Sequence, residues 1–118
     1  MGLSGSEIAD ISAKAALERK AKEVVVLDLK GLSSVTDFFV ICTGTSDIHA
    51  EGIAQFIEEK LGEQNAKLWH REGVRKASWI LLDYIDVMIH IFTKDTREFY
   101  GLERLWGDAP RTDYSDED

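Results

Sequence analysis

Two apolar runs on either side of a short polar turn constrain the fold most strongly. Residues 78–92 read SWILLDYIDVMIHIF, and the DYID segment at residues 83–86 divides them. Because side chains alternate between the two faces of a strand, the pattern predicts an antiparallel β-hairpin. One face of this hairpin carries uniform aliphatic side chains. The other face carries the more varied set of Trp79, Leu81, Met88, His90 and Phe92.

The remaining apolar spacing predicts helices that flank a sheet. Residues 38–45 (FFVICTGT) form a continuous apolar run, which is typical of a strand covered on both faces. The other predicted elements are a helix at 6–23, a strand at 23–29, a helix at 45–64 capped by Ser46, a strand at 66–73 and a final helix at 94–106. The order α-β-β-α-β-β-β-α predicts an α/β fold of the α+β type, with a mixed β-sheet flanked by helices.

Composition limits the domain organisation. The chain has 118 residues, of which 44% are hydrophobic, and this suits one globular domain. Residues 1–5 are rich in glycine and serine, so we expect a flexible N-terminus before a domain at residues 6–106. Residues 107–118 hold the single proline and five acidic residues. They are expected to form a disordered acidic tail.

The net charge of −8 narrows the classes of partner. An acidic chain repels phosphate backbones, so direct nucleic-acid binding is not expected. The charge suits a basic protein partner, although acidity can also serve solubility alone. No apolar run approaches the roughly 20 residues that span a bilayer, and no presequence is present, so a cytoplasmic protein without membrane contact is expected. The single cysteine, Cys42, lies in an apolar run and is expected to be a buried thiol.

Two segments carry weak indications of catalysis. The turn that runs from Cys42 to Ser46 joins a strand to a helix start, where backbone N–H groups can bind an anion. It lacks the lysine of a P-loop and the three glycines of a dinucleotide motif. A nucleotide-binding transferase is the alternative function on this ground, and a capped helix after a tight turn is the simpler interpretation.

The second indication is a set of carboxylates and histidines. Two-metal catalysis needs carboxylates that converge on one point, but Asp83 and Asp86 lie across a turn and would not share a strand face. The histidines lack metal-ligand spacing. We therefore predict no catalytic site, no metal and no cofactor, and the protein is not expected to be an enzyme.

The varied face of the hairpin is the strongest candidate for a binding site. An exposed tryptophan beside methionine and histidine is typical of an adaptable protein-contact surface. Alternatively, the last helix covers that face, and Trp79 and Met88 belong to the core. The pattern leaves both interpretations open.

Several motifs in one order resemble a known family. They span roughly residues 8–106 and are S-S-x-T-D at 33–37, C-T-G-T-S at 42–46, W-I-L-x-D at 79–83, V-x-x-H at 87–90 and R-x-x-Y-x-L-E-x-L-W at 97–106. This set is similar to that of the ribosomal silencing factor family, also called the Iojap family. Tyr84 and the acidic C-terminal segment depart from the family pattern.

The resemblance implies a function and a site. Such proteins bind the large ribosomal subunit through its fourteenth protein, block joining of the small subunit and so repress translation when nutrients are short. Their fold is related to nucleotidyltransferases, without known catalysis, and free members are often homodimers. Carried over by motif, the contact surface comprises Trp79, Asp83, Met88, His90 and Tyr100.

Overall fold

The inner strands and the hairpin form where the apolar patterns place them. In a computed structural model, which describes residues 2–73 and 78–115, the predicted order of elements is confirmed, but the last helix is divided in two and one further strand follows it. The elements are α1 (Gly5–Glu18), β1 (Lys22–Asp28), β2 (Phe38–Gly44), α2 (Asp47–Glu63), β3 (His70–Glu72), β4 (Trp79–Asp83), β5 (Val87–Thr93), α3 (Lys94–Tyr100), α4 (Leu102–Leu105) and β6 (Arg111–Tyr114).

One mixed sheet contains the six strands of the described residues, in the order β3-β4-β5-β2-β1-β6. Only β2 and β5 pair in parallel, and the other neighbours are antiparallel. Strand β2 lies in the interior of the sheet and is buried along its whole length, as its continuous apolar run predicts. The hairpin of β4 and β5 is also confirmed.

The two faces of the sheet are packed differently. Helices α1 and α2 cover one face, which we call the inner face, and its core includes Ile80, Leu82, Val87, Ile89 and Ile91 from the hairpin. A second, smaller apolar cluster lies on the opposite face, which we call the outer face. There the segment that follows β5 packs over β1 and β2 through Leu102, Trp106 and Ala109. The core is therefore thick on one side of the sheet and thin on the other.

The N-terminus is more ordered than its composition predicted. Helix α1 begins at Gly5, and Ser4 caps it: its Oγ accepts the Glu7 N–H at 3.1 Å while the Glu7 carboxylate accepts the Ser4 N–H at 2.8 Å. This capping box satisfies two N–H groups that would otherwise lack partners. The prediction of a flexible segment at residues 1–5 is therefore wrong for Ser4 and Gly5, and Met1 lies outside the described residues.

The prediction of a disordered tail at residues 107–118 is wrong for Arg111–Tyr114, which form the edge strand β6. Strand β1 would otherwise leave its outer backbone groups unpaired, and β6 pairs with them from Val24 to Leu27. Backbone pairing does not need apolar side chains, so the acidic composition does not prevent it. The Tyr114 hydroxyl also donates to Asp10 in α1 at 2.8 Å. Residues 116–118 lie outside the described part of the chain.

The predicted final helix is divided in two. Gly101 adopts φ 55° and ψ 43°, a left-handed conformation that ends α3 before α4 begins. Next to it, Arg97 is buried and donates to the Glu23 carbonyl oxygen at 2.7 Å and to Thr43 Oγ1 at 2.8 Å. These bonds fix α3 against the ends of β1 and β2, and so hold the cover of the outer face in place.

Candidate interaction surface

The outer face of the hairpin brings together the residues that the sequence singled out. Cross-strand register places Trp79 opposite Phe92, Leu81 opposite His90 and Asp83 opposite Met88. On the other side of β5, Phe39 and Ile41 of β2 lie beside Met88 and His90. The predicted division of the hairpin into an aliphatic face and a varied face is therefore confirmed.

Trp79 is half-buried at the centre of an aromatic group. Its ring centroid lies 4.5 Å from that of Tyr100 in α3 and 5.1 Å from that of Phe92. Its indole N–H donates to His90 Nδ1 at 3.1 Å. The polar atom of the indole is thus satisfied within the protein, and the ring presents an apolar surface.

His90 lies beneath this group and not on the surface. Its side chain is in T-shaped contact with Phe39 at 4.5 Å between centroids, and only 4% of the residue is exposed. Burial lowers the pKa of His90 to about 3, so the imidazole is neutral at neutral pH. Because Nδ1 accepts the indole N–H, the ring proton is on Nε2, which has no hydrogen-bond partner among the described residues. The prediction that His90 contacts a partner directly is thus corrected: the side chain supports Trp79 from below.

The sequence left two interpretations of this face, an exposed contact surface or a core covered by the last helix, and each describes part of it. Near β1 and β2 it is covered, because Trp106 contacts Phe39 at 6.1 Å between centroids and Leu102 and Ala109 join the same cluster. Within the described part of the chain, this cover ends toward β3, and Trp79, Leu81 and Met88 are only partly buried. Trp79 and Met88 therefore form the border between a thin core and an uncovered apolar surface.

Exposed apolar side chains that the sequence analysis did not identify extend this surface. Val35, Trp69 and Ile85 line a groove together with Asp83 and Met88. Trp69 is 67% exposed and Ile85 is 57% exposed. These three residues come from separate loops and turns, where no periodicity marks a shared face. For Val35 and Ile85, the available signal was an apolar residue at a position where turns usually carry polar ones. Trp69 lay in a predicted strand and carried no such signal.

The turn at residues 42–46 caps the N-terminus of helix α2 and packs closely against it. A Cβ atom at Gly44 would lie 2.9 Å from the Ala50 backbone nitrogen, so only glycine permits this close approach of β2 to α2. The Thr45 N–H donates to His49 Nδ1 at 2.9 Å, and the His49 N–H donates to Ser46 Oγ at 3.0 Å. These N–H groups are engaged inside the protein, as the interpretation of a capped helix predicts.

Cys42 and Tyr84 have structural roles, and no metal site is found among the described residues. Cys42 is buried, and burial raises the pKa of its thiol to about 12. Tyr84 packs into the inner core. Asp86 is exposed in the turn, whereas Asp83 is the last residue of β4 and is buried. In residues 2–73 and 78–115, no three His, Cys, Asp or Glu side chains are grouped to hold a metal ion. The described helices are all too short or too polar to cross a membrane.

Comparison with known proteins identifies the family. The family model described as ribosomal silencing factor during starvation matches residues 4–118. The chain belongs to this family. The ribosomal silencing factor of Halalkalibacterium halodurans is 41% identical over 108 residues, which cover 92% of each chain. That of Bacillus subtilis is 40% identical over 111 residues, which cover 94% of each chain.

The fold agrees with the ribosomal silencing factor family. A crystal structure of a Chromobacterium violaceum protein superposes with a TM-score of 0.85 at 28% sequence identity, covering 89% of this chain and 88% of that one. The family resemblance in the sequence motifs is thus confirmed, and with it the α+β fold with a mixed sheet. The family is regulatory and not catalytic. The matched region includes β6, so the C-terminal strand is part of the family domain.

Proposed function

We propose that this protein represses translation by binding the large ribosomal subunit through its fourteenth protein and blocking the joining of the small subunit. The observation that carries the proposal is the uncovered part of the outer face, where Trp79 and Met88 continue into exposed apolar side chains. An exposed apolar surface of this kind is a common feature of protein–protein contacts. The family relationship supports a ribosomal partner.

The electrostatics favour a basic partner. The chain carries a net charge of −8, and ribosomal proteins are rich in lysine and arginine because they bind RNA. Opposite net charges accelerate the encounter and disfavour acidic competitors. Apolar contacts around Trp79 would then supply most of the binding free energy, as aromatic anchors do in other interfaces.

The mechanism is steric and needs no chemical step. The protein extends 34 × 34 × 33 Å. A rigid body of this size, bound where the two subunits meet, would occupy space that the small subunit requires. A cytoplasmic site of action is part of this proposal.

The proposal is tested by Trp79→Ala. Truncation of a central interface tryptophan typically costs 2 kcal/mol or more, which corresponds to about 30-fold weaker binding to purified large subunits. Co-sedimentation with large and small subunits on sucrose gradients measures the effect. The matched control is Phe56→Ala, an aromatic truncation in α2 on the opposite side of the sheet. Unchanged binding by a correctly folded Trp79→Ala variant would contradict the proposed surface.

The same surface would explain a homodimer in the absence of ribosomes. Two copies could bury their uncovered apolar residues against each other through a two-fold axis. Light scattering after size-exclusion chromatography should then detect a dimer of the wild type and a larger monomer fraction for Trp79→Ala. An identical dimer fraction for both proteins would place any dimer contact elsewhere.

A further inference from the structure

A groove next to Trp79 has apolar walls and one carboxylate at its base. It has a volume of about 340 Å³ and lies where β4 turns into β5. The side chains of Val35, Trp69, Ile85 and Met88 form its walls. Among the described residues, Asp83 is the only charged one that lines it. A ligand for this groove should therefore combine an apolar body with a positive charge.

The carboxylate of Asp83 has unused hydrogen-bonding capacity. Asp83 is 7% exposed, and its Oδ1 accepts the Ile85 N–H at 2.8 Å. A carboxylate has about four acceptor positions, and no lysine or arginine of the described residues forms an ion pair with this one. Buried carboxylates in proteins are usually paired with a cation. Among residues 2–73 and 78–115, the chain thus leaves a position on this carboxylate for a cation from outside.

The backbone of the turn beside the groove is strained at Ile85, and this strain lowers the stability of the fold. Ile85 has φ 74°, a left-handed conformation that β-branched residues rarely adopt. For a residue with a Cβ atom this conformation costs about 1–2 kcal/mol, and glycine or asparagine would reduce that cost. The turn nevertheless holds an isoleucine side chain that is more than half exposed at the rim of the groove. Strain of this kind is more common where a side chain has a binding role.

We propose that the groove receives one lysine or arginine side chain of the protein partner. This inference rests on the proposed function, because the partner is taken to be a basic ribosomal protein. The aliphatic stem of the side chain would pack against Trp69 and Met88, and its charged head would bind the free positions of Asp83. Long cationic side chains bury their stems on apolar surface while the head binds an anion. The net charge of −8 adds long-range attraction for the same group.

The decisive variant is Asp83→Asn. Asparagine keeps the shape and an oxygen that accepts the Ile85 N–H, so the turn is preserved, but it removes the charge. We expect binding to purified large subunits to weaken at least about tenfold at low salt. We also expect a shallower dependence of affinity on salt concentration, because one ion pair is lost. The matched control is Glu63→Gln, which removes an exposed charge at the end of α2, on the other side of the sheet.

A second variant tests the wall of the groove. Trp69 is exposed, so Trp69→Ala should leave the fold intact and weaken binding about fivefold or more. If one partner side chain contacts both residues, the double variant with Asp83→Asn should lose less than the product of the two single losses. Independent, fully additive losses would contradict the single-side-chain arrangement.

The outcomes separate this inference from the proposed function. Wild-type protein that does not bind large subunits would overturn both. Weak binding by Trp79→Ala together with unchanged affinity and salt dependence for Asp83→Asn would overturn only the cation groove. Equal effects of Asp83→Asn and Glu63→Gln would likewise overturn it, because they would reflect net charge and not the groove.

Discussion

Glu103→Gln tests how the cover of the outer face is held in place. Glu103 in α4 accepts from Arg97 Nε at 2.9 Å and lies 3.1 Å from Arg111 Nη1. It therefore joins α3, α4 and β6. Arg97 is only 7% exposed, so this carboxylate balances a guanidinium charge that is largely removed from water. Glutamine keeps the shape of glutamate, but it removes the charge and replaces one acceptor oxygen with an NH₂ group.

The expected loss of stability follows from these two contacts. Arg97 stays charged in Glu103→Gln, so a hydrogen bond to the glutamine oxygen can remain, and what is lost is the contribution of the carboxylate charge. Hydrogen bonds with and without charge assistance differ by about 1 kcal/mol. The buried contact with Arg97 should therefore lose about 1 kcal/mol. The contact with Arg111, whose side chain is half exposed, should lose less because water screens it. The total is about 1–2 kcal/mol in the free energy of unfolding, or about 4–8 °C in Tm for a chain of this size.

The pH dependence provides an independent check. The hydrogen bond from Arg97, assisted by the charges of Arg97 and Arg111, lowers the pKa of Glu103 below its usual value of 4.5, against the opposing effect of burial. The unfolded chain therefore binds this proton more readily than the folded one. The contribution of Glu103 is complete above pH 4.5 and is lost as the pH falls through the lower folded-state pKa. The difference between wild type and Glu103→Gln should accordingly shrink with acid.

Urea unfolding at about pH 7 and about pH 3.5 measures both quantities. The control is Asp113→Asn, which removes a carboxylate whose contact with Arg111 is on the surface and should cost less than about 0.5 kcal/mol. A loss for Glu103→Gln no larger than that of this control at neutral pH would refute the proposed role of the Glu103 contacts. An equally large loss in acid would refute it as well.

Two further predictions concern the ends of the sheet and its buried histidine. Gly44→Ala should destabilise the protein by about 2 kcal/mol in urea unfolding, because the new Cβ would lie 2.9 Å from the Ala50 backbone nitrogen; a stable variant would show that α2 can shift at little cost. His90→Phe should reduce the loss of stability between pH 6.5 and about 3, where unfolded histidine binds a proton and the buried imidazole does not. Parallel stability–pH curves for the two proteins would contradict the burial of a neutral imidazole.

The sequence predicted the parts of the fold that depend on local periodicity. The alternation in residues 78–92 marked both the hairpin and its two faces, because a strand turns every second side chain to the same side. The continuous run at residues 38–45 marked an interior strand in the same way. The cap of α2 was equally local, since Ser46 and its acceptor bond to His49 lie within one turn.

Features that depend on distant contacts were not predictable in this way. Strand β6 has no apolar pattern. It forms because its backbone pairs with the edge of β1, about 85 residues earlier in the chain. The groove unites residues from the loop before β2, the approach to β3 and the hairpin turn. His90 was predicted to lie at the surface, whereas the aromatic rings of the outer face enclose it. In each of these cases the neighbours come from other parts of the chain.

The partial cover of the outer face links stability to the proposed binding. Helix α3 packs Tyr100 against Trp79 from above, and His90 accepts the indole N–H from below. The tryptophan is therefore held in one orientation before a partner arrives, and its polar atom needs no water. An anchor of this kind loses little conformational entropy when it binds. The contacts of α3 and α4 thus stabilise the thin second core and also fix the apolar surface at its border.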